Sequence, residues 1–261
     1  MNKKYKLTDK KFFPELNKEL RQIEALCDFG KVRKGDKGGW VESESNLAVS
    51  GDAWVYGNAW VSGDARVSGD AWVYGNARVY GNAEVSGNAW VSGDAWVSGD
   101  ARVSGNAEVY GDAWVYGNAE VSGNARVSGD AWVYGNARVS GNAEVYGNAE
   151  VSGNAWVSGD AWVSGDAWVY GNARVYGNAE VSGNAWVSGD ARVLVLGKLG
   201  NDARFITATW SKDNCVKVKA GCFFGTIDDF QKAVIEKYGE GESDYMLIIP
   251  LLRKKEKEWA E

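Results

Sequence analysis

The sequence predicts a mainly β protein whose central part is a parallel β-helix. Between Val49 and Arg192 the chain repeats the pattern Val-(Ser/Tyr)-Gly-(Asp/Asn)-Ala-(Trp/Arg/Glu) 24 times without an insertion. The composition reflects this reuse, since the 261 residues include 34 Gly, 14 Trp and 12 Tyr but only 2 Pro and no His. A short fixed period is the sequence signature of a repeat architecture.

Each hexad predicts one short strand followed by a corner. In Ala-x-Val-(Ser/Tyr) the Ala and Val side chains point to one side and the variable residue x to the other. The Gly-(Asp/Asn) pair that follows contains residue types that tolerate positive φ. A period of six does not suit an α-helix, and so many glycines would weaken one. Strand and corner therefore alternate to build a coil, with Val stacked on Val and Ala on Ala.

The hexad pattern closely resembles that of left-handed β-helix proteins, in which an aliphatic residue and a small residue two places before it fill the interior. The resemblance implies a left-handed coil, against the usual right-handed rule for parallel connections. It also implies a triangular prism with three hexads, about 18 residues, in each coil. The β-helix then covers residues 48–194 in about eight coils, ~38 Å long at the spacing of paired strands.

Residues 1–47 predict an N-terminal β cap for one open end of the helix. Short strand patterns and turn patterns alternate there, the strands at 4–7 and 21–26 and the turns at 28–30, 34–36 and 38–39. Ser43–Ala48 is a degenerate hexad with Leu47 in the Ala position. A cap is expected because the unpaired ends of a solenoid invite end-to-end association.

Residues 195–261 predict a small C-terminal α+β domain that acts as a cap or binds a partner. Two strands are expected near 204–211 and 216–222, joined by a turn at 212–214. A first helix has Thr226 as its N-cap and ends at Gly239. Its apolar face consists of Ile227, Phe230, Val234 and Tyr238. A second helix is expected to start at Ser243 and to be kinked at Pro250.

Both ends extend the resemblance. The segment from Ile23 to Glu42 is similar to the N-terminal motif of hexapeptide-repeat proteins common in tailed phages and prophages, through Asp28-Phe29-Gly30 and Gly38-Gly39-Trp40. The segments 204–208 and 221–226 resemble the C-terminal motif of the same group. The resemblance implies a phage setting rather than an activity, with the bacterial host cytoplasm as the expected location and the virion as the alternative.

Sorting the hexads by threes separates three faces, and we predict that the second face is the binding surface. Its variable column and the adjacent column carry the aromatic residues Trp60, Trp96, Trp114, Trp132, Trp168, Trp186, Tyr80, Tyr116, Tyr134 and Tyr170. The third face instead alternates Arg and Glu from Arg66 to Arg138. Three interpretations of the aromatic face stay open: rings that only stabilise the ladder, a protein-contact surface, and a platform for sugars or bases.

Nothing in the sequence predicts catalysis. Many left-handed β-helix proteins are acyltransferases that resemble one another in a His general base, and this chain has no His. The three cysteines, Cys27, Cys215 and Cys222, have no metal-ligand spacing, and each repeat Gly belongs to a corner rather than to a phosphate loop. We therefore predict no catalytic residue, no metal site and no cofactor.

The function predicted from the sequence is a non-catalytic scaffold of phage type that binds a host protein or forms a homo-oligomer. Three alternatives remain: an inhibitor that sequesters a bacterial defence protein or its nucleotide signal, a virion component that binds glycans, and a residual acyltransferase. No apolar run approaches the roughly 20 residues of a membrane helix. Basic residues cluster only at 253–255 and the net charge is −6, so neither a membrane nor a nucleic acid is an expected partner.

Overall fold

The computed structural model describes residues 3–14, 18–177, 179–183, 185–188, 193–199, 204–210, 215–239 and 243–260. Its centre is a β-solenoid of about eight turns in which every hexad contributes a strand of two residues, from β4 (Trp54–Val55) to β26 (Trp186–Val187). Each strand consists of the variable residue and the Val that follows it. Every third strand pairs in parallel, as Trp96 does with Trp114, so a coil contains three hexads, as the resemblance implies.

Three parallel sheets form the sides of the solenoid. The first face contains every third strand from β4 to β25, the second face those from β5 to β26, and the third face those from β6 to β24. This grouping is the one predicted from the sequence. The last hexad of the repeat, with residues 189–192, lies outside the described residues.

The core is a stack of identical side chains. The hexad Val and Ala residues are fully buried from Ala53 to Ala173, and burying one Val side chain stabilises the fold by about 1.5–3 kcal/mol. Neighbouring coils are joined by main-chain hydrogen bonds, such as the one from the Trp96 N–H to the Ala113 carbonyl at 2.9 Å. The glycine corners have φ near +70°, for example 71° at Gly117, which L side chains rarely adopt.

The N-terminal segment forms an antiparallel sheet that continues the second face. Strands β1 (Tyr5–Phe12), β2 (Leu20–Ala25) and β3 (Lys37–Val41) pair in that order, and β3 then pairs in parallel with β5. A 3₁₀ turn, Glu44–Asn46, follows. The described sheet therefore runs without interruption from the N-terminal hairpin to the last coil of the second face.

Two sequence predictions in this segment are wrong. Gly38 and Gly39 lie within β3 and not in a turn; glycine is needed because a Cβ on Gly39 would lie 2.5 Å from the Ala59 carbonyl oxygen. Leu47 occupies a Val position and not an Ala position, since it is paired with Val67. Two additional residues in the corner before Val55 cause this shift of register.

The C-terminal segment is a small α+β unit. Its sheet is an antiparallel meander of β27 (Val193–Leu199), β28 (Arg204–Trp210), β29 (Val216–Ala220) and β30 (Phe223–Thr226). Two helices follow, α1 (Ile227–Tyr238) and α2 (Asp244–Ala260). The two predicted strands and the first helix are therefore present, whereas β27 and β30 were not predicted. The predicted turn at 212–214 lies outside the described residues.

Helix α1 begins and ends as its sequence predicts. The Asp229 N–H donates to the Thr226 side-chain oxygen at 3.2 Å, and Gly239 follows with φ 83°. The predicted apolar face holds for its first three residues, but Tyr238 is exposed and stacks on Tyr245 of α2. Helix α2 starts one residue after the predicted position and runs through Pro250 as one helix. None of the helices described is long and apolar enough to cross a membrane.

The candidate functional site on the second face

The Trp residues of the second face form a column because each strand pairs in register with the strand one coil away. Trp96 and Trp114 have ring centroids 4.4 Å apart and planes inclined by 11°, and Trp114 and Trp132 are 5.4 Å apart at 13°. Trp168 and Trp186 stack in the same way at 5.3 Å. These separations match the strand spacing of ~4.8 Å, so the backbone pairing itself sets the ring stack.

A second column of Tyr rings lies beside the Trp column. Tyr116 and Tyr134 stack at 4.9 Å with almost parallel planes. The edge of Tyr116 also contacts Trp132, because the residues two places apart on a strand share the outer face. The Tyr134 hydroxyl donates to Glu150. Burial first, and then this hydrogen bond, raises the pKa of Tyr134.

The exposed surface of this face consists largely of ring edges. Trp132 is 42% exposed, and exposure rises to 60% at Trp186. In the described part of the chain, no acceptor lies within hydrogen-bond distance of the indole N–H groups of the five residues Trp96, Trp114, Trp132, Trp168 and Trp186. Tryptophan N–H groups usually find a partner when they are buried. Within the described residues, the face therefore presents apolar ring edges together with indole N–H donors that have no acceptor.

The N-terminal end of the face is covered. Trp60 is 6% exposed, so it contributes little to an open surface. The Phe12-Phe13-Pro14 segment follows β1 and forms, with the second face, a cleft of about 280 Å³. Its walls are Phe12, Phe13, Pro14, Trp60, Arg78, Tyr80 and Trp96. Phe13 is 63% exposed at the edge of this cleft.

The third face differs in charge and in chemistry. Arg102 lies between Glu84 and Glu120 at 3.9 and 4.0 Å, and Arg138 lies 3.4 Å from Glu120. All these side chains are well exposed, so each pair contributes roughly 0–1 kcal/mol. Trp156 is the one Trp on the described rungs of this face, and its N–H donates to Ser140 at 3.1 Å. The third face is therefore a solvated surface whose polar side chains pair with one another.

The first face is mixed. Arg126 lies within 3.5–3.7 Å of Glu108 and Glu144, and Trp90 and Trp162 contact Tyr74 and Tyr146 edge to face. Its first three rungs are Trp54, Trp72 and Trp90, but no stacking between their rings is present in the described residues, and charged rungs follow them. Among the described residues, the second face is therefore the side on which Trp rings stack on one another over successive coils.

The described residues do not assemble a recognisable catalytic centre. The chain contains no His, and the described part holds no group of three or more acidic or cysteine side chains that could bind a metal ion. The three cysteines are free thiols, two of them exposed. The residues predicted to bind lie in two adjacent columns, as sorting the hexads by threes predicts, and their role in binding stays a prediction.

Comparison with known proteins supports the repeat architecture. A family model described as the YdcK beta solenoid repeat matches residues 59–75, 71–85, 101–117, 119–135, 131–150, 167–183 and 173–189. An uncharacterized acetyltransferase YdcK of Escherichia coli (strain K12) is 49% identical over 37 residues, which is 14% of this chain. That match covers 11% of the relative's own length. Pattern, topology and family model agree that the chain is a β-solenoid repeat protein.

Proposed function

We propose that this protein is a non-catalytic assembly scaffold that associates with a second copy of itself through the aromatic second face. The observation that supports this is the set of five Trp residues on the second face, interrupted at Glu150, whose indole N–H groups have no acceptor among the described residues. Large aromatic patches are rarely left bare on soluble proteins, and Trp is enriched among residues that dominate binding energy. The parallel β-ladder holds these rings rigidly, which lowers the entropic cost of association.

The proposal also includes the absence of catalysis. The relative that is called an acetyltransferase matches 37 residues, and a stretch of this length corresponds to about two coils of repeat. Such a match supports a shared scaffold, while the missing His removes the usual general base of acyltransferases with this fold. We expect no acetyl transfer from acetyl-coenzyme A to amines or hydroxyls.

A phage or prophage setting is the finer part of the proposal, with the cytoplasm of the bacterial host as the place of action. It rests on the resemblance of the segments 23–42 and 204–226 to the end motifs of phage hexapeptide-repeat proteins. In that setting a host protein is the alternative occupant of the same face. Mass spectrometry of purified particles would contradict the cytoplasmic role if the protein were a stoichiometric virion component.

The oligomeric mass in solution tests the scaffold. We expect light scattering on the full-length protein to give a stable oligomer, and the triple substitution Trp114→Ser, Trp132→Ser and Trp168→Ser to give a monomer with unchanged secondary structure. A matched control replaces Trp90, Trp156 and Trp162, which are similarly exposed on the other two faces, and should keep the oligomer. A wild-type monomer at all concentrations, or an oligomer that survives the second-face substitutions, would refute self-association through this face.

A further inference from the structure

We propose that the cleft between the Phe12-Phe13-Pro14 segment and the second face binds a small planar aromatic anion through Arg78. The cleft has a volume of about 280 Å³, at the lower end of the usual range for small-molecule sites. This volume admits a single-ring or two-ring compound and not a polymer. It lies beside the N-terminal cap and shares Trp96 with the proposed assembly surface.

The walls of the cleft select a flat ring. Five aromatic side chains from two different parts of the chain line it: Phe12, Phe13, Trp60, Tyr80 and Trp96. Trp60 and Tyr80 stack on each other at 5.7 Å, and Tyr80 meets Trp96 edge to face at 6.1 Å. Protein aromatic side chains bind nucleic-acid bases by stacking in the same way. Phe13, at the edge of the cleft, provides a further apolar contact for the bound ring.

Arg78 supplies the charge preference. Its guanidinium carbon lies 4.6 Å from the Trp96 ring and 6.0 Å from the Trp60 ring, so the side chain is held between two indoles. A guanidinium stacked by its faces keeps its N–H donors in its own plane, where they fit a carboxylate or phosphate in two-point contact. Among the described residues no acceptor or carboxylate is paired with Arg78, in contrast to Arg102 and Arg138 of the third face.

Among the described residues that line the cleft, Arg78 is the one that carries a charge at neutral pH. A neutral ligand would leave this cation without a counter-charge, and a cationic ligand would be repelled by it. An anion with an aromatic ring satisfies both features of the site at once. Nucleoside monophosphates and aromatic carboxylates share this chemistry, and the two sources can be distinguished by the choice of probe.

Calorimetric titration of the full-length protein at low salt tests the site with four probes: adenosine monophosphate, adenosine, benzoate and inorganic phosphate. We expect at least one aromatic anion to bind at least fivefold more tightly than adenosine and inorganic phosphate. Binding of adenosine monophosphate alone would identify a nucleotide site, and equal binding of benzoate would identify a general aromatic-acid site. Absence of binding by both anions at millimolar concentration would overturn the proposal, as would phosphate binding as tightly as adenosine monophosphate.

Two substitutions connect binding to the cleft. Arg78→Gln should weaken the anion at least tenfold, while Arg138→Gln, a matched change in an exposed Arg of the third face, should leave its affinity unchanged. Glu and Trp occupy the position of Arg78 in other hexads, so the fold tolerates its replacement, and circular dichroism would verify this. Equal affinity in Arg78→Gln and wild type would refute the role of Arg78 even if the anion binds elsewhere.

Discussion

At the scale of single residues, the Asn and Asp residues at the corners form chains of side-chain hydrogen bonds. The Asn side chains at successive corners donate to one another along the solenoid axis, as Asn88 does to Asn106 at 3.0 Å and Asn106 to Asn124 at 2.9 Å. Asp accepts such a hydrogen bond but has no side-chain N–H to pass on. The run that starts at Asn88 accordingly ends at Asp160, to which Asn142 donates at 2.9 Å.

Two constraints require glycine at the corners: a positive φ and the short distance to the next coil. A comparison of Gly51 with Gly57 distinguishes these two constraints. Gly51 and Gly57 have φ of 72° and 69°, but a Cβ would lie 2.2 Å from the Gly69 oxygen at Gly51 and 3.3 Å from the Gly75 oxygen at Gly57. We expect Gly57→Ala to cost about 1–2 kcal/mol for its backbone conformation. Gly51→Ala should cost about 1–3 kcal/mol more. Urea unfolding of both variants measures the difference, and equal losses would show that φ alone requires glycine here.

At the scale of elements, the N-terminal cap is a set of hydrogen-bond donors placed over the open edge of the first coil. The Lys4 ammonium donates to the carbonyls of Gly51 and Ala53 at 2.9 and 2.8 Å, and the Asn46 amide donates to those of Gly63 and Ala65, both at 2.9 Å. These carbonyls would otherwise lack partners. Burial lowers the pKa of Lys4, and the nearby Asp52 opposes that effect.

Tyr5 makes the stability of this cap depend on pH. Its single hydroxyl proton is shared between the carbonyls of Glu44 and Leu47, both at 2.8 Å. Burial, followed by the charge of Glu44, raises the pKa of Tyr5 to about 12. The neutral phenol is therefore favoured in the folded state. Its contribution is fully present below pH ~10, the ordinary pKa of Tyr, and is lost as the pH rises toward about 12.

The predicted size of this loss is roughly 2–3 kcal/mol of unfolding free energy. Tyr5→Phe should be less stable than wild type at pH 7 by about 1–3 kcal/mol, because the two carbonyls lose their donor. Between pH 9 and pH 11, the free energy of unfolding of Tyr5→Phe should fall less than that of wild type. Urea unfolding at these three pH values checks both statements, with Tyr176→Phe as the control at an exposed position. A decline in Tyr5→Phe as steep as in wild type would assign the alkaline loss to other groups.

At the scale of the whole molecule, interior and exterior follow different rules. All hexads place the same Val and Ala in the core, so the interior does not specify which hexads lie above one another. The outer columns do depend on that choice, because a shift by one hexad moves every later residue to another face. The aromatic second face exists only when the variable residues return with a period of three hexads.

Two deletions test this separation. Removing residues 97–114 takes out one coil and keeps the remaining Trp residues of the second face in one column. Removing residues 97–102 takes out one hexad, places Glu120 and Arg138 below Trp96, and moves Trp114 and the later Trp residues of its column together to the first face. We expect both proteins to show the circular dichroism of a folded β-solenoid, since the core is unchanged, although the shorter deletion separates Trp96 from Trp114. If the six-residue deletion failed to fold while the coil deletion folded, the columns would be required for folding itself.

Much of this fold and of its candidate site follows from local pattern. The period of six specified strands and corners, and sorting by threes placed Trp96, Trp114 and Trp132 in one column, because parallel pairing in register carries a sequence period directly into space. The helix from Ile227 was predicted for a similar reason, since its N-cap and its final glycine act within one turn of the chain. The handedness and the number of hexads per coil came from resemblance to known proteins and not from the period.

Only the tertiary structure decided what depends on contacts between distant parts of the chain. The sequence predicts a turn at Gly38 and Gly39, but both lie in a strand. Glycine is needed there because a neighbouring coil leaves no room for a Cβ. Leu47 took a Val position because two extra residues in the next corner shifted its register. Trp60 resembles the other Trp residues of its column, yet it is buried and lines a cleft with Arg78 and the Phe12-Phe13-Pro14 segment. The packing of a repeat can be predicted from its own sequence because each unit contacts units of the same pattern. The contacts of a cap cannot, because they are made with a surface whose sequence differs from its own.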